Sequence, residues 1–143
     1  MNRRRTVLAL LGFMIGALSD GLFIRNGLSL SGPTLLDTYP VIWPVWLVAV
    51  LISSFVLEIL RGGHLGAIGP SRESVGFSNL PIPLAILLGM VITHTALLIR
   101  DITIDTTSHN LWPFEYLFWG VAVGAPAYIG SMLARLILKQ ARP

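Results

Sequence analysis

The chain contains no cysteine among its 143 residues. This absence excludes disulfide bonds, thiol redox chemistry, and thiolate metal sites or iron–sulfur clusters held by this chain alone. Charged residues are also scarce, at 12% of the chain, and the sequence has no nucleophile elbow, phosphate-binding loop or HExxH motif. Because no complete catalytic set is present, the sequence disfavours an enzyme.

Apolar residues are abundant instead, at 54% of the chain, and they form four long stretches. A helix needs roughly 20 apolar residues to cross the ~30 Å hydrocarbon core of a bilayer. The stretches at residues 6–24, 41–60, 80–99 and 111–138 come close to that length or exceed it. The sequence therefore predicts an all-α integral membrane protein, a single domain over residues 1–143 whose four transmembrane helices form an up-down bundle.

The basic residues lie almost entirely on one side of the four predicted helices. With a cytoplasmic N-terminus, eight of the ten lysines and arginines lie inside and only Arg25 and Arg100 lie outside, as the positive-inside rule requires. We therefore expect both termini and the glycine-rich loop 62–79 in the cytoplasm. Because these charges sit at helix ends, we expect them to meet anionic lipid head groups rather than nucleic acid. The arginine-rich inner flanks favour a prokaryotic inner membrane.

The N-terminal segment also has features of a secretory signal, with three arginines, an apolar run and small residues at Ala17 and Ser19. The apolar run continues past Asp20 as far as Ile24, however, as it does in a membrane anchor. We therefore expect this segment to be retained as the first helix.

Small residues form a stripe on the first predicted helix and another on the fourth. The first stripe contains Gly12 and Gly16 and leads to Asp20. The second stripe consists of Gly120, Gly124, Ala127 and Ser131. Small residues let helices approach closely in lipid, where burial of apolar surface gives little driving force. We expect these stripes to pack helix against helix, either within the bundle or against another subunit.

Two ionisable residues lie inside the predicted helices at matching depth. Asp20 precedes Arg25 by five residues and His94 precedes Arg100 by six, which places both roughly 8–9 Å below the outer interface. Ionisable groups at such depth are costly in lipid, so each is a candidate functional residue. The side chains that would complete an outer polar cluster are those of Thr93, Glu115 and His109.

Three roles are open for this cluster. The residues can hold the bundle in register, or they can form a proton- or ligand-binding site, since histidine titrates near neutral pH. Imidazole and carboxylate groups are also ligands for divalent metals such as zinc, copper or manganese. No two histidines have helical spacing, so no cofactor is predicted and a divalent metal remains an alternative.

A second set of charges lies near the inner ends of the second and fourth predicted helices. Glu58 precedes Arg61 by three residues, and Arg135 reaches a similar depth on the fourth helix. Opposite charges at this spacing pair on a helix surface, so we expect structural ion pairs here.

Taken together, these features predict a small, non-catalytic integral membrane protein, an accessory or stabilising subunit of a larger membrane complex. Its partners would be the lipid bilayer and other membrane subunits or further copies of the chain. The alternative is a small transporter, or a ligand- or metal-binding membrane protein, that uses the outer cluster of Asp, His and Glu side chains.

Overall fold

A computed structural model describes residues 3–20, 35–62, 80–104 and 112–141. Over these residues the chain is helical and contains no strand, which confirms the predicted all-α class for this part. The helices are α1 (Arg3–Leu18), α2 (Leu35–Arg61), α3 (Ile82–Ile104) and α4 (Trp112–Gln140).

Three of the helices are long and apolar enough to cross a membrane. The candidate spans are Pro44–Arg61 in α2, Ile82–Ile104 in α3 and Tyr116–Gln140 in α4. Many large apolar side chains on their outer faces are exposed, as expected of helices that contact lipid. The predicted membrane class therefore fits α2, α3 and α4. Helix α1 is described over 16 residues, followed by Ser19 and Asp20, and residues 21–24 of the predicted helix lie outside the described residues.

Some helix ends differ from the predicted ones, because the predictions follow the ends of the apolar stretches and the helical backbone continues beyond them. Helix α2 begins at Leu35 rather than at 41, and α3 continues to Ile104 rather than ending at 99. The change from apolar to polar residues after 99 does not end α3, because polar residues such as Thr103 can continue a helix. Helix α2 ends where Gly62 adopts a left-handed conformation (φ 83°) and its N–H donates to the Ile59 carbonyl, a typical C-cap.

The most extensive helix contacts join alternate helices, α1 with α3 and α2 with α4. Gly12 lies beside Ile82 and Ala85 of α3. Gly16, one turn later on α1, lies beside Ile86 and Met90, which are one turn later on α3. Helices α1 and α3 therefore run in the same direction. In an up-down bundle with sequential neighbours, these two helices would instead lie diagonally across from each other.

The α2–α4 pair repeats this arrangement. The Trp46 and Trp119 rings meet edge to face with centroids 6.4 Å apart, and farther along Ser54 Oγ donates to the Ala127 carbonyl at 2.6 Å. Gly130 of α4 packs on Leu51 of α2. Contacts of α3 with α4, and fewer contacts of α1 with α2, join the two pairs. The apolar core between them comprises Leu8, Trp46, Val50, Leu57, Ile82, Ile86, Met90, Trp119, Val123 and Ala127.

Glycine makes the closest of these contacts possible. A Cβ added at Gly16 would lie 1.8 Å from the Ile86 carbonyl oxygen, and one added at Gly89 would lie 1.9 Å from the Phe13 carbonyl oxygen. Gly130 has the same role on α4, where an added Cβ would lie 2.2 Å from the Leu51 carbonyl oxygen. Gly89 and Gly130 lie outside the two small-residue stripes predicted from the sequence.

The two predicted small-residue stripes differ in what they contact. On α1, Gly12 and Gly16 both lie against α3. On α4, Ala127 and Ser131 are buried, whereas an added Cβ at Gly124 would meet only the tip of Leu87. Gly120 has nothing within 4 Å of its added Cβ.

We predict that Gly16→Ala destabilises the protein by about 3 kcal/mol, because the new methyl group would have to push α1 away from the α3 backbone. Gly120→Ala is the matched control and should leave stability unchanged or raise it by up to about 1 kcal/mol, the helix propensity difference. Unfolding in mixed detergent, followed by circular dichroism, measures both. Equal stability of the two variants would contradict the described α1–α3 contact.

Candidate functional site

Asp20 and His94 are in direct contact in the interior of the bundle. The distance between His94 Nδ1 and Asp20 Oδ1 is 2.9 Å, within hydrogen-bonding range. Asp20 is 1% exposed and His94 is 7% exposed. The two residues are 74 positions apart in sequence, so the pairing of α1 with α3 brings them together.

The local backbone at Asp20 departs from a regular α-helix. Ser19 and Asp20 continue α1 in a wider π-type turn, and Ser19 Oγ donates to the Ile15 carbonyl at 2.7 Å. Single π-turns within helices occur frequently at functional sites. Both residues are buried, so the turn directs polar side chains into the protein.

A third helix contributes an aromatic residue to the site. The Tyr116 ring of α4 meets the His94 ring edge to face, with centroids 4.9 Å apart. The Tyr116 hydroxyl lies 2.7 Å from Thr95 Oγ1, and Thr95 Oγ1 donates to the Val91 carbonyl. Because the Thr95 hydroxyl has a single hydrogen, Tyr116 is the donor in this pair.

Of the other predicted cluster members, only Thr93 has a described side chain. Thr93 is half-buried on α3. Because it is adjacent to His94 in sequence, its side chain leaves the helix about 100° away from that of His94. The Glu115 side chain and all of His109 lie outside the described part of the chain. The described site therefore consists of Asp20, His94, Tyr116 and Thr95.

Tyr116 was missed by the sequence analysis, since a tyrosine near a helix end is usually read as an interface anchor. A usable signal was its position at the outer end of the fourth predicted helix, near the depth assigned to His94.

One oxygen of the buried Asp20 carboxylate has no hydrogen-bond partner among the described residues. Asp20 Oδ2 is buried and accepts no hydrogen bond from any residue in the described ranges. A buried acceptor without a donor costs free energy, about 1–3 kcal/mol and more when it is charged. A proton or a donor group on a ligand would remove that cost.

Metal binding needs more ligands than these two residues supply. Within the described ranges, no three His, Cys, Asp or Glu side chains lie close enough together to hold a metal ion. Asp20 and His94 provide two ligands, whereas a typical protein zinc site has three or four. A metal site would therefore require a further ligand from outside the described residues, such as His109 or the Glu115 side chain.

A second buried carboxylate lies near the opposite end of the bundle. Glu58 is 0% exposed, and Arg135 Nε lies 3.2 Å from its Oε1 oxygen. Arg61 interacts electrostatically with Glu58 and donates to the Leu80 carbonyl at 2.7 Å. Ser131, one turn before Arg135, is buried and its hydroxyl has no described partner. This set connects α2, α4 and the beginning of α3.

We predict that Arg135→Gln destabilises the protein by about 3 kcal/mol, since it leaves the Glu58 carboxylate buried without its ion pair. Glu58→Gln combined with Arg135→Gln should recover most of that loss, because the uncompensated charge is removed. Detergent unfolding of the two single variants and the double variant gives the coupling free energy. Additive losses would show that Glu58 and Arg135 do not interact.

No known family model matches this chain, and neither the curated proteins nor the solved structures contain a significant match to it.

Proposed function

We propose that this chain is a four-span integral membrane protein of the small-transporter class, in which the Asp20–His94 pair binds a proton. The observation that carries the proposal is the 2.9 Å contact between a buried carboxylate and a buried imidazole in a bundle with three helices of membrane-spanning length. Ionisable pairs in that setting are expensive and commonly mark proton or substrate pathways.

The proposed topology has four spans with both termini in the cytoplasm, in a prokaryotic inner membrane. Contacts at the helix ends support alternating directions, since Arg4 at the start of α1 donates to the Leu60 carbonyl at the end of α2. Tyr116, near the start of α4, meets the second half of α3 at His94. The distribution of lysine and arginine supports the cytoplasmic assignment of the termini.

The chemistry of the pair suits reversible proton binding. Imidazole gains or loses a proton near neutral pH, and a carboxylate partner stabilises its cationic form. Each proton gained or lost changes the charge of the pair by one unit in a medium of low dielectric constant, where unpaired charge is unfavourable. Asp20 Oδ2 offers a further acceptor for the proton or for a hydroxylated or cationic ligand. Protonation would thereby alter how firmly α1 is held on α3.

A second candidate is a non-catalytic accessory subunit of a larger membrane complex or of a homo-oligomer. Its support is the α4 surface at Gly120, which has open space beside it, and at Tyr128, which is 61% exposed near the middle of the α4 span. A tyrosine hydroxyl facing hydrocarbon is unfavourable unless another subunit supplies a partner. A metal-binding protein is a third possibility and would need a further ligand at the site, such as Glu115 or His109.

We predict that single cysteines introduced at Asn2 and at Arg142 are labelled by membrane-impermeant thiol reagents only when the cytoplasmic face is accessible. The natural chain has no cysteine, so each variant reports one position without background. Asn26→Cys serves as the outer-face control and should be labelled in intact cells. Labelling of the two terminal cysteines from opposite faces would rule out the four-span arrangement.

We also predict that the protein in lipid has a carboxylic acid infrared band that changes with pH and is lost in Asp20→Asn. His94→Gln should change the frequency of this band, because the hydrogen bond with the imidazole is lost. Asp101→Asn, near the end of α3, is the matched control and should keep the band. If Asp20→Asn leaves every pH-dependent band in place, Asp20 does not exchange a proton and the pair serves only to hold the helices.

A further inference from the structure

Two buried polar groups where α2 packs on α4 have no hydrogen-bond partner among the described residues. They are the Oε2 oxygen of Glu58 on α2 and the hydroxyl group of Ser131 on α4. Glu58 is 0% exposed and Ser131 is 1% exposed, so bulk solvent does not reach either group. Unpaired polar groups in a protein interior are unfavourable, so each of the two requires a partner.

The Ser131 hydroxyl lies close to the Glu58 carboxylate. On α4, Ala127, Ser131 and Arg135 are spaced four residues apart, so they lie on one face of the helix. The first of these accepts a hydrogen bond from Ser54 Oγ of α2 at 2.6 Å, and the last places its Nε 3.2 Å from Glu58 Oε1. Because both neighbours of Ser131 on this face contact α2, Ser131 lies between the levels of Ser54 and Glu58.

The acceptor that a helical serine commonly uses is already occupied at Ser131. Such a serine donates to the carbonyl group four residues earlier, as Ser19 does to Ile15. For Ser131 that carbonyl belongs to Ala127, which accepts from Ser54 Oγ and, within the helix, from the Ser131 backbone N–H. A carbonyl oxygen has two lone pairs, so both are in use. The Ser131 hydroxyl is therefore available to a partner on the α2 side.

The two unpaired groups require a ligand that both donates and accepts hydrogen bonds. Glu58 Oε2 is an acceptor, the Ser131 hydroxyl can donate, and the two form no hydrogen bond with each other. A cation is disfavoured because the Arg135 guanidinium group already lies beside the carboxylate. Water is neutral, donates and accepts, and commonly occupies buried sites that contain otherwise unpaired polar groups.

We propose that a buried water molecule binds between α2 and α4, where it donates to Glu58 Oε2 and accepts from the Ser131 hydroxyl. The water completes the hydrogen bonding of a carboxylate whose other oxygen lies beside Arg135. It also joins the two helices one turn beyond the hydrogen bond from Ser54 to Ala127. The site is separate from the Asp20–His94 pair of α1 and α3, so it does not depend on the proposed proton binding.

The first test compares Ser131→Asn with Ser131→Leu, since these two side chains have nearly the same size and shape. The asparagine amide can take the position of the water and donate to Glu58 Oε2, whereas leucine displaces the water without replacing its hydrogen bond. We expect the folding equilibrium constant of Ser131→Leu, measured by unfolding in mixed detergent, to be about tenfold or more below that of Ser131→Asn. Helix propensity favours leucine, so it opposes the expected difference.

A Ser131→Leu variant as stable as Ser131→Asn would overturn the proposal, because Glu58 Oε2 would then need no donor. The second test is a crystal structure of the unmodified chain, grown from a lipid phase at a resolution that shows ordered water. We expect electron density for one water within hydrogen-bonding distance of both Ser131 Oγ and Glu58 Oε2. Ordered side chains without this density, or a direct hydrogen bond between them, would also overturn the proposal.

Discussion

The close parallel approach of α1 to α3 is the contact on which the remaining structure depends. At Gly16 and Gly89 the two helices come so near that the backbone of each occupies the space where the other would have a side chain. Lipid offers little hydrophobic driving force for helix association, so such close van der Waals contact is a main source of stability in a membrane bundle. It also fixes the register, because sliding either helix by one residue would place side chains against carbonyl oxygens. With this register fixed, Asp20 lies one turn beyond Gly16 and meets His94.

The same arrangement distributes the polar groups of the protein. The parallel α2–α4 pair, in close contact at Gly130, places Arg135 against Glu58 near the other end of the bundle. Two buried carboxylates, Asp20 beside His94 and Glu58 beside Arg135, are therefore separated by an apolar core that includes Met90 and Val123. Neither pair is needed for stability alone, since the attraction within an ion pair in an apolar medium seldom exceeds the free energy cost of desolvating its charges. Their presence is therefore the main physical support for the proposed proton site in this small protein.

The sequence could predict those features that depend on chain length and composition. Helical rise per residue is constant, so the spacing from Asp20 to Arg25 and from His94 to Arg100 was enough to place the two side chains at one depth. It could not predict that alternate helices are the principal neighbours. A helix in lipid has apolar residues both on the side that contacts lipid and on the side that packs against another helix, so the sequence does not distinguish the two sides. For the same reason Gly89 and Gly130 did not stand out from other small residues, and the part played by Tyr116 became visible only once α4 was placed beside α3.

The contact between Asp20 and His94 can be measured directly by solid-state nuclear magnetic resonance of the protein in lipid bilayers. With ¹⁵N-labelled histidine and ¹³C-labelled aspartate, dipolar recoupling reports the distance from His94 Nδ1 to the Asp20 carboxyl carbon, and His94→Gln assigns the signal. The account predicts strong coupling, as expected for a nitrogen 2.9 Å from a carboxylate oxygen. If no histidine nitrogen is coupled to any aspartate carboxyl carbon, the packing of α1 on α3 and the proposed proton site are both contradicted.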